Sequence, residues 1–437
     1  MVVAARGHGE PVAIDPTRSL VLLSVAHAIN HAQAALLPLI YLAVIAQFGI
    51  GVPEIAFLAS AGALMSGLVQ LTFSGLTRRF SRRVLLGWGN LVFGGFMALQ
   101  AVASTYLPFA AANIVSRIGG APQHPVGNAL LAEQYPPERR GFAISTHIAG
   151  GNIGTVAVPL VGAALIAGVG WQWTVVLFGL PAVVVGLAMF AWIRESGADR
   201  AAAIAQGSLR DSLTAVARDR ELLLTFLSST LGGGARGLGV LNLFVPLYLS
   251  LVLGFDATTV ATMLTVLLLG SVPGPIVAGW LSDRLGRKPL IVGVYVGGAV
   301  ALAAFVIAGR DPLMLWISII FLSVFNFVES PQLQALLADI SRPAIRDASF
   351  AVYFTIAFAT GAVWTAIYGG IIAILGNAAG LPVVFWLMAA TFVLAALSVL
   401  PIRAEQRTAE VRAEERALGL AHATAILAAD ESEPGAI

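Results

Sequence analysis

Polar side chains are scarce in this sequence, and a few of them interrupt long apolar runs. Arg117 falls in "SRIGGAPQHP", Arg236 in "GGGARGLG" and Glu329 in "NFVESPQ". A guanidinium stays charged at physiological pH and grips carboxylate or phosphate through two parallel hydrogen bonds. Two arginines against one acid leave an excess of positive charge, which suits a small anion. Pairing of an arginine with Glu329 is the structural use of the same groups. A lone carboxyl group at that depth suits a proton carrier, and a permanent ion pair is its alternative. His27 and His31 stand four residues apart, on one helical face, with Asn30 between them. His124 follows Arg117 by seven residues and has Gln123 beside it, while Asn326 precedes Glu329 by three. Spacing of i, i+4 is that of a metal pair, but no third ligand is evident, so no metal site is expected. Hydrogen bonding between helices or proton relay in a cavity is the reading for the histidines.

The candidate substrate-binding set is therefore Arg117, Arg236, His27, His31, Asn30, His124, Gln123 and Asn326. The candidate proton-coupling set is Glu329, His31 and His124. No catalytic residue, cofactor or enzymatic activity is expected. There are no cysteines for a disulfide or thiolate site. No G-x-x-x-x-G-K-[ST] phosphate loop is present either, which disfavours a primary pump.

The elements that hold these residues follow from composition. Only 11% of residues are charged, 58% are hydrophobic, and mean hydropathy is +0.87. Runs of about 20 apolar residues cross a bilayer, and backbone in lipid must bond to itself, so these runs are helices. Twelve spans are expected at 19–47, 54–77, 84–104, 107–132, 141–168, 172–193, 222–250, 257–281, 288–308, 312–337, 347–375 and 380–402. The net charge of +2 does not suggest nucleic acid. The N-terminus has no removable signal-peptide pattern.

One alternate set of connections is rich in arginine: "RRFSRR", "PPERR", the 194–221 segment, "DRLGRK" and "RPAIR". The other set is short and holds Arg310 as its one basic residue. The positive-inside rule makes the arginine-rich set and both termini cytoplasmic. The chain then divides into a cytoplasmic tail (1–18), a six-helix half (19–193), a central loop (194–221), a second half (222–402) and a cytoplasmic tail (403–437). The halves repeat: "ALLAE" (129–133) returns as "ALLAD" (335–339), "PLIYLAVIAQFG" as "PLYLSLVLGFDA", and "LTRRFSRRVLL" (76–86) as "LSDRLGRKPLI" (281–291). Parallel halves flanking a polar path are a transporter architecture.

"GWLSDRLGRKP" resembles the loop signature G-x-L-x-D-x-x-G-R-[RK] of the major facilitator superfamily, with Gly279, Leu281, Asp283, Gly286, Arg287 and Lys288 matching. The chain is identified by this resemblance as a member: an all-α membrane protein of twelve helices in two six-helix pseudo-repeat halves. In the first-half copy Arg78 replaces the acid and Ser81 the second glycine. "GTVAVPLVGA" (154–163) resembles an antiporter signature, Arg117 matches an arginine of the fourth helix, and "HAINHAQAALLPLI" looks like the fosmidomycin-resistance branch. The resemblance implies alternating access in a plasma (inner) membrane. Its partners would be protons, lipid and a small, anionic molecule, and the working unit a monomer. Proton-coupled export of a small organic anion or drug is the first expectation. Proton-coupled uptake of an anionic metabolite is the alternative, and a non-transporting scaffold or sensor is a third class. The repeat also predicts a cytoplasmic gate built from Asp283, Arg287, Lys288, Arg78, Arg140 and Asp347. In it Asp283 meets Arg140 and the start of span five, and Arg78 meets Asp347.

Overall fold

The structure is a computed structural model that describes residues 14–50 and 52–418. Most of the first tail and residues 419–437 of the second lie outside the described residues. The first half comprises α1 (Pro16–Phe48), α2 (Val52–Arg79), α3 (Arg82–Leu99), α4 (Tyr106–Gly120), α5 (Pro125–Gln134) and α6 (Pro137–Trp192). Two short helices follow, α7 (Ala198–Ala205) and α8 (Leu209–Arg218). The second half comprises α9 (Arg220–Gly232), α10 (Asn242–Leu247), α11 (Ala257–Leu269), α12 (Pro273–Leu285), α13 (Arg287–Ala308), α14 (Pro312–Phe325), α15 (Glu329–Ile340) and α16 (Arg346–Val399). A last helix, α17 (Ala404–Ala417), runs beyond it.

These helices make twelve crossings. α4 and α5 form one crossing, as do α9 with α10, α11 with α12, and α14 with α15. α6 and α16 each cross twice, because each turns at a glycine: Gly170 at φ 81°, ψ 164° and Gly376 at φ 74°, ψ 166°. That backbone region is open only to glycine. The two glycines stand at equivalent places in the repeat, so the pseudo-symmetry extends to the turns.

Among the described residues, nine stretches are long and apolar enough to span a bilayer, including the 57-residue Pro343–Val399 that crosses twice. The α4–α5 crossing and the opening part of α6 are not among them. They carry Arg117, His124, Glu133, Arg140, His147 and Asn152, so the segments poorest in hydropathy are those richest in interior polar groups.

α1 and α6 pack closely. A side chain on Gly154 would collide with the Ala28 carbonyl, and one on Gly162 would press on Leu36. The small residues of the antiporter-like stretch therefore allow helices to approach, as in membrane packing generally.

Hydrogen bonds join the halves along one line. Asn152 donates to the Ser271 carbonyl (2.5 Å), Gln332 to Ser145 (3.1 Å) and Asn128 to Gln334 (2.6 Å). Further along, Arg287 donates to the Pro137 carbonyl (2.6 Å) and Arg82 to Asp347 (2.9 and 3.0 Å). All of these lie at mid-depth or towards the arginine-rich face, so the halves are fastened at that end.

Candidate functional site

Breaks in two crossings build the centre of the molecule. The seventh crossing leaves α-helical geometry after Gly232, passes through a tight turn to Ala235, and resumes past Arg236, whose ψ is 133°. The tenth breaks between Phe325 and Glu329. Breaks in lipid-embedded helices leave backbone groups without partners, and these must be satisfied from elsewhere. Here each break serves the other: Gly237 N–H donates to the Asn326 carbonyl (2.8 Å), and the Asn326 amide donates to the Ala235 carbonyl (3.1 Å). Asn326 thus holds the two breaks together, with its Oδ1 buried and without a hydrogen-bond partner among the described residues.

The same juncture pairs Arg236 with Glu329. Arg236 Nε donates to Glu329 Oε1 at 2.6 Å, and its Nη2 reaches the Ser229 hydroxyl at 3.2 Å. Glu329 is fully buried, while the Arg236 side chain is 18% exposed, towards the cavity. The second carboxylate oxygen, Oε2, has no hydrogen-bond partner among the described residues. A buried ion pair is stable only while both charges remain, because removal of one strands the other.

Both groups line a central cavity of about 670 Å³, within the range of small-molecule sites. Its wall also includes His27, His31, His124, Asn152, Asn326, Gln334, Phe354 and Phe358. The histidines come from three helices. His27 and His31 lie one turn apart on α1, with ring centroids 4.5 Å apart. His124 sits where Pro125 starts α5, 4.7 Å from His27 and 5.0 Å from the Phe354 ring. His147, on α6, stacks on His27 at 4.4 Å. The sequence spacing shows only the α1 pair; the fold adds His124 as the third ligand-capable group, with ligand atoms of the three within 4.8 Å of one another.

Three of the expected binding residues stand elsewhere. Arg117 does not line the cavity: its side chain lies over Gly62 of α2, and its Nε donates to Asn113 one turn earlier (3.1 Å). The absent side chain of Gly62 gives the stem its slot. The excess positive charge expected of two arginines is therefore not present in the cavity, where Arg236 and Glu329 balance. Gln123 donates to the Leu23 carbonyl (2.8 Å) and Asn30 to the Gly120 carbonyl (3.4 Å). Both tie α1 to the α4–α5 junction.

The gate residues are distributed differently from the expected pairing. Asp283 accepts from Gly141 N–H (3.0 Å) and Phe142 N–H (2.9 Å), in the opening turns of α6, and pairs with Arg287 (2.5 Å). Gly286, at φ 91°, ends α12 and starts α13, a conformation that requires glycine. In the first-half copy Ser81 instead caps α3, accepting from Val84 N–H, with φ −66°. The turn there needs no glycine. Asp347 pairs with Arg82, the repeat equivalent of Arg287, and not with Arg78. Arg78 donates to Ser212 and to the Gly207 carbonyl in the 207–212 segment. Arg140 does not meet Asp283; it donates to the Tyr135 carbonyl (2.8 Å), Asp339 (3.5 Å) and Glu415. Lys288 donates to the Ile402 carbonyl (3.2 Å).

Several members of this network escape sequence reading: Arg82, Glu133, Asp199, Asp339, Arg346 and Glu415. Arg82 pairs with Glu133 and Asp199, Arg287 with Asp339 (2.8 Å), and Arg346 with Asp199 (2.8 Å) and Glu415. The repeat contained the signal for part of it, since the two loop copies set Arg82 on Arg287, and "ALLAE" and "ALLAD" set Glu133 on Asp339. Nothing local marks Asp199 or Glu415.

Two six-helix halves around a central cavity, mostly apolar with a few polar groups turned into it, define a multi-pass membrane transporter. The sequence pattern of the Major Facilitator Superfamily matches residues 23–364 and 234–431, and the chain belongs to that family. A Haemophilus influenzae protein named for metabolite transport is 25% identical over 327 residues, covering 71% of this chain and 77% of that one. The "Probable L-galactonate transporter" of Escherichia coli is 24% identical over 288 residues, covering 63% and 64%. The solved E. coli fucose:proton symporter FucP has the same fold, at TM-score 0.71 and 17% identity, over 90% of this chain and 98% of that one.

Proposed function

We propose that the chain takes up a small organic carboxylate by proton symport, the Arg236–Glu329 pair carrying the coupling. The carrying observation is the pair itself, at 2.6 Å, with one carboxylate oxygen unpartnered beside the cavity. A guanidinium held in a dry site needs a counter-charge. Glu329 supplies it while ionised. When Glu329 takes a proton, Arg236 is released to bind the carboxylate of a substrate bidentately. Charge balance then couples one proton to one anion, both bound in the same state and both released together. That is the stoichiometry of symport. A sugar-acid relative, the L-galactonate transporter, favours a polyhydroxy carboxylate, whose hydroxyls Asn152, Gln334 and the histidines would meet.

The arginine-rich face is read as cytoplasmic, together with both termini, by the positive-inside rule. The closed end is then the inner one, and the cavity loads from outside. Each chain holds a whole cavity, so a monomer suffices. Export by antiport is the second reading. It is favoured by the antiporter-like run 154–163, although the close approach of Gly154 and Gly162 to α1 already accounts for their size.

The test uses proteoliposomes with an imposed pH gradient and a panel of sugar acids and aromatic carboxylates. Wild type accumulates the substrate when the outside is acid. Glu329→Gln mimics the protonated acid, so it retains counterflow exchange and loses gradient-driven accumulation. Arg236→Lys loses both, because a point charge cannot replace the bidentate fork. Undiminished accumulation by Glu329→Gln would overturn the coupling role.

A further inference from the structure

The symport reading gives the cavity histidines only substrate hydroxyls to meet, and their mutual geometry goes beyond that. His27 Nδ1 lies 2.9 Å from the His147 carbonyl oxygen, to which it donates, and that fixes Nε2 as the nitrogen with the free lone pair. Nε2 is fully buried and has no hydrogen-bond partner among the described residues. His31 Nδ1 lies 3.1 Å from the Thr155 hydroxyl, which holds that ring in position and can accept from its N–H. His124 Nδ1 is likewise buried and unpartnered. Metal-ligating histidines characteristically donate their other ring N–H to a carbonyl or similar group, which sets tautomer and ring orientation. Buried imidazole nitrogens without partners are otherwise costly.

From these observations we infer that His27, His31 and His124 form a binding site for a divalent transition-metal ion, zinc by preference, inside the transport cavity. Three neutral imidazoles suit zinc, nickel or copper rather than magnesium or calcium, which take oxygen ligands. The candidate ligand atoms lie within 4.8 Å of one another. Zinc–nitrogen bonds of about 2.0–2.1 Å bring such atoms to roughly 3.4 Å, so modest ring rotations close the site. The fourth position faces the cavity and is open to water or a ligand oxygen. Gly151 packs flat against the His27 ring, where an added Cβ would lie 2.9–3.0 Å from three ring atoms. The α6 backbone thereby leaves room for the imidazole. The Arg236–Glu329 pair on the second half is net neutral and does not repel the ion.

The experiment needs no transport assay, so its failure and the failure of the symport reading are separable. Protein purified without a polyhistidine tag is titrated with Co²⁺ and then Zn²⁺. The expected result is one equivalent of Co²⁺ with the intense visible absorption of four-coordinate cobalt, displaced by Zn²⁺. His31→Gln and His124→Gln abolish that spectrum. Thr155→Val keeps all three ligands and weakens affinity about 10-fold, as loss of an orienting partner does. Metal-free melting temperatures identical to wild type separate these effects from misfolding. If a ligand variant does not fold, Thr155→Val decides. A wild-type protein without the spectrum, or affinity unaltered in Thr155→Val or in folded ligand variants, overturns the site.

Discussion

Glu415 belongs to α17, outside the twelve crossings, yet its carboxylate reaches both halves: a single oxygen, Oε1, accepts from Arg140 of the first half and from Arg346 of the second. These arginines are repeat equivalents, so the tail clasps the pseudo-twofold at the fastened end. Opening of that end separates the halves, and Glu415 then keeps at most one of its two arginine partners. A hydrogen bond to a charged group contributes about 1.5–3 kcal/mol and a neutral one about 0.5–1.5 kcal/mol. In Glu415→Gln the amide oxygen still accepts, and Arg140 retains Tyr135 and Asp339 while Arg346 retains Asp199. The substitution therefore weakens the hydrogen bond that opening breaks by about 1–1.5 kcal/mol, a shift of about 5- to 13-fold towards the state open at the arginine-rich face. Ser145 reports that state. It is fully buried and accepts from Gln332 of the other half, a bond that must break on opening. In the naturally cysteine-free chain, a Ser145→Cys background labelled with a water-soluble maleimide should react about 5- to 13-fold faster when Glu415→Gln is added. Removal of residues 404–437 should do at least as much. An unchanged labelling rate in both would show that α17 is a passive attachment and that the gate is held by the halves alone.

The clasp is also pH-dependent with a definite sign. Burial opposes ionisation of Glu415, but the guanidiniums of Arg140 and Arg346 outweigh it and hold the carboxyl below its ordinary range. A depressed folded pKa gives stability that is present above the unfolded value and lost as pH falls through the folded one. Ser145→Cys labelling, divided by the rate of a fully exposed thiol at the same pH because the thiolate is the reacting form, should accordingly stay low at neutral pH and rise only in acid, and the Glu415→Gln variant should lose that acid step. Asp283→Asn leaves one acceptor where two α6 N–H groups converge, at a cost of about 1–3 kcal/mol; faster labelling of the same cysteine reads it, and no change would assign Asp283 to topology alone. Gly286→Ala forces a side chain into φ 91° and should lower stability by about 1–3 kcal/mol in a melting measurement. The equivalent change Ser81→Ala, which removes only a cap, should cost about 0.5–2 kcal/mol. Arg82→Ala strands Asp347 and takes a guanidinium from Glu133 and from Asp199, which keep Ser196 and Arg346, and should destabilise by more than Arg78→Ala, whose partners are a hydroxyl and a carbonyl.

Composition alone made this chain a bundle of membrane helices. Backbone in hydrocarbon has few options, and twenty apolar residues fit one bilayer. The repeat was legible because equivalent loops keep their polar punctuation, and its "DRLGRK" copy carried the resemblance to the family. Depth was legible for Glu329 and Arg236, since charge that far inside an apolar run demands a cavity or a partner. Direction was not. Arg117 sits at similar depth, but which face of a helix meets the cavity depends on rotation and on its neighbours, and Gly62 of α2 receives that side chain. The third histidine was hidden for a related reason: His124 lies 93 positions beyond His31, and only the packing of α1 against α5 and α6 brings them together. The partners of the gate arginines were likewise decided by tertiary structure. Ion pairs at the fastened end join loops, the 194–221 segment and the tail, whose sequences carry no periodic signal, and long flexible side chains choose whichever carboxylates the packed helices leave within reach.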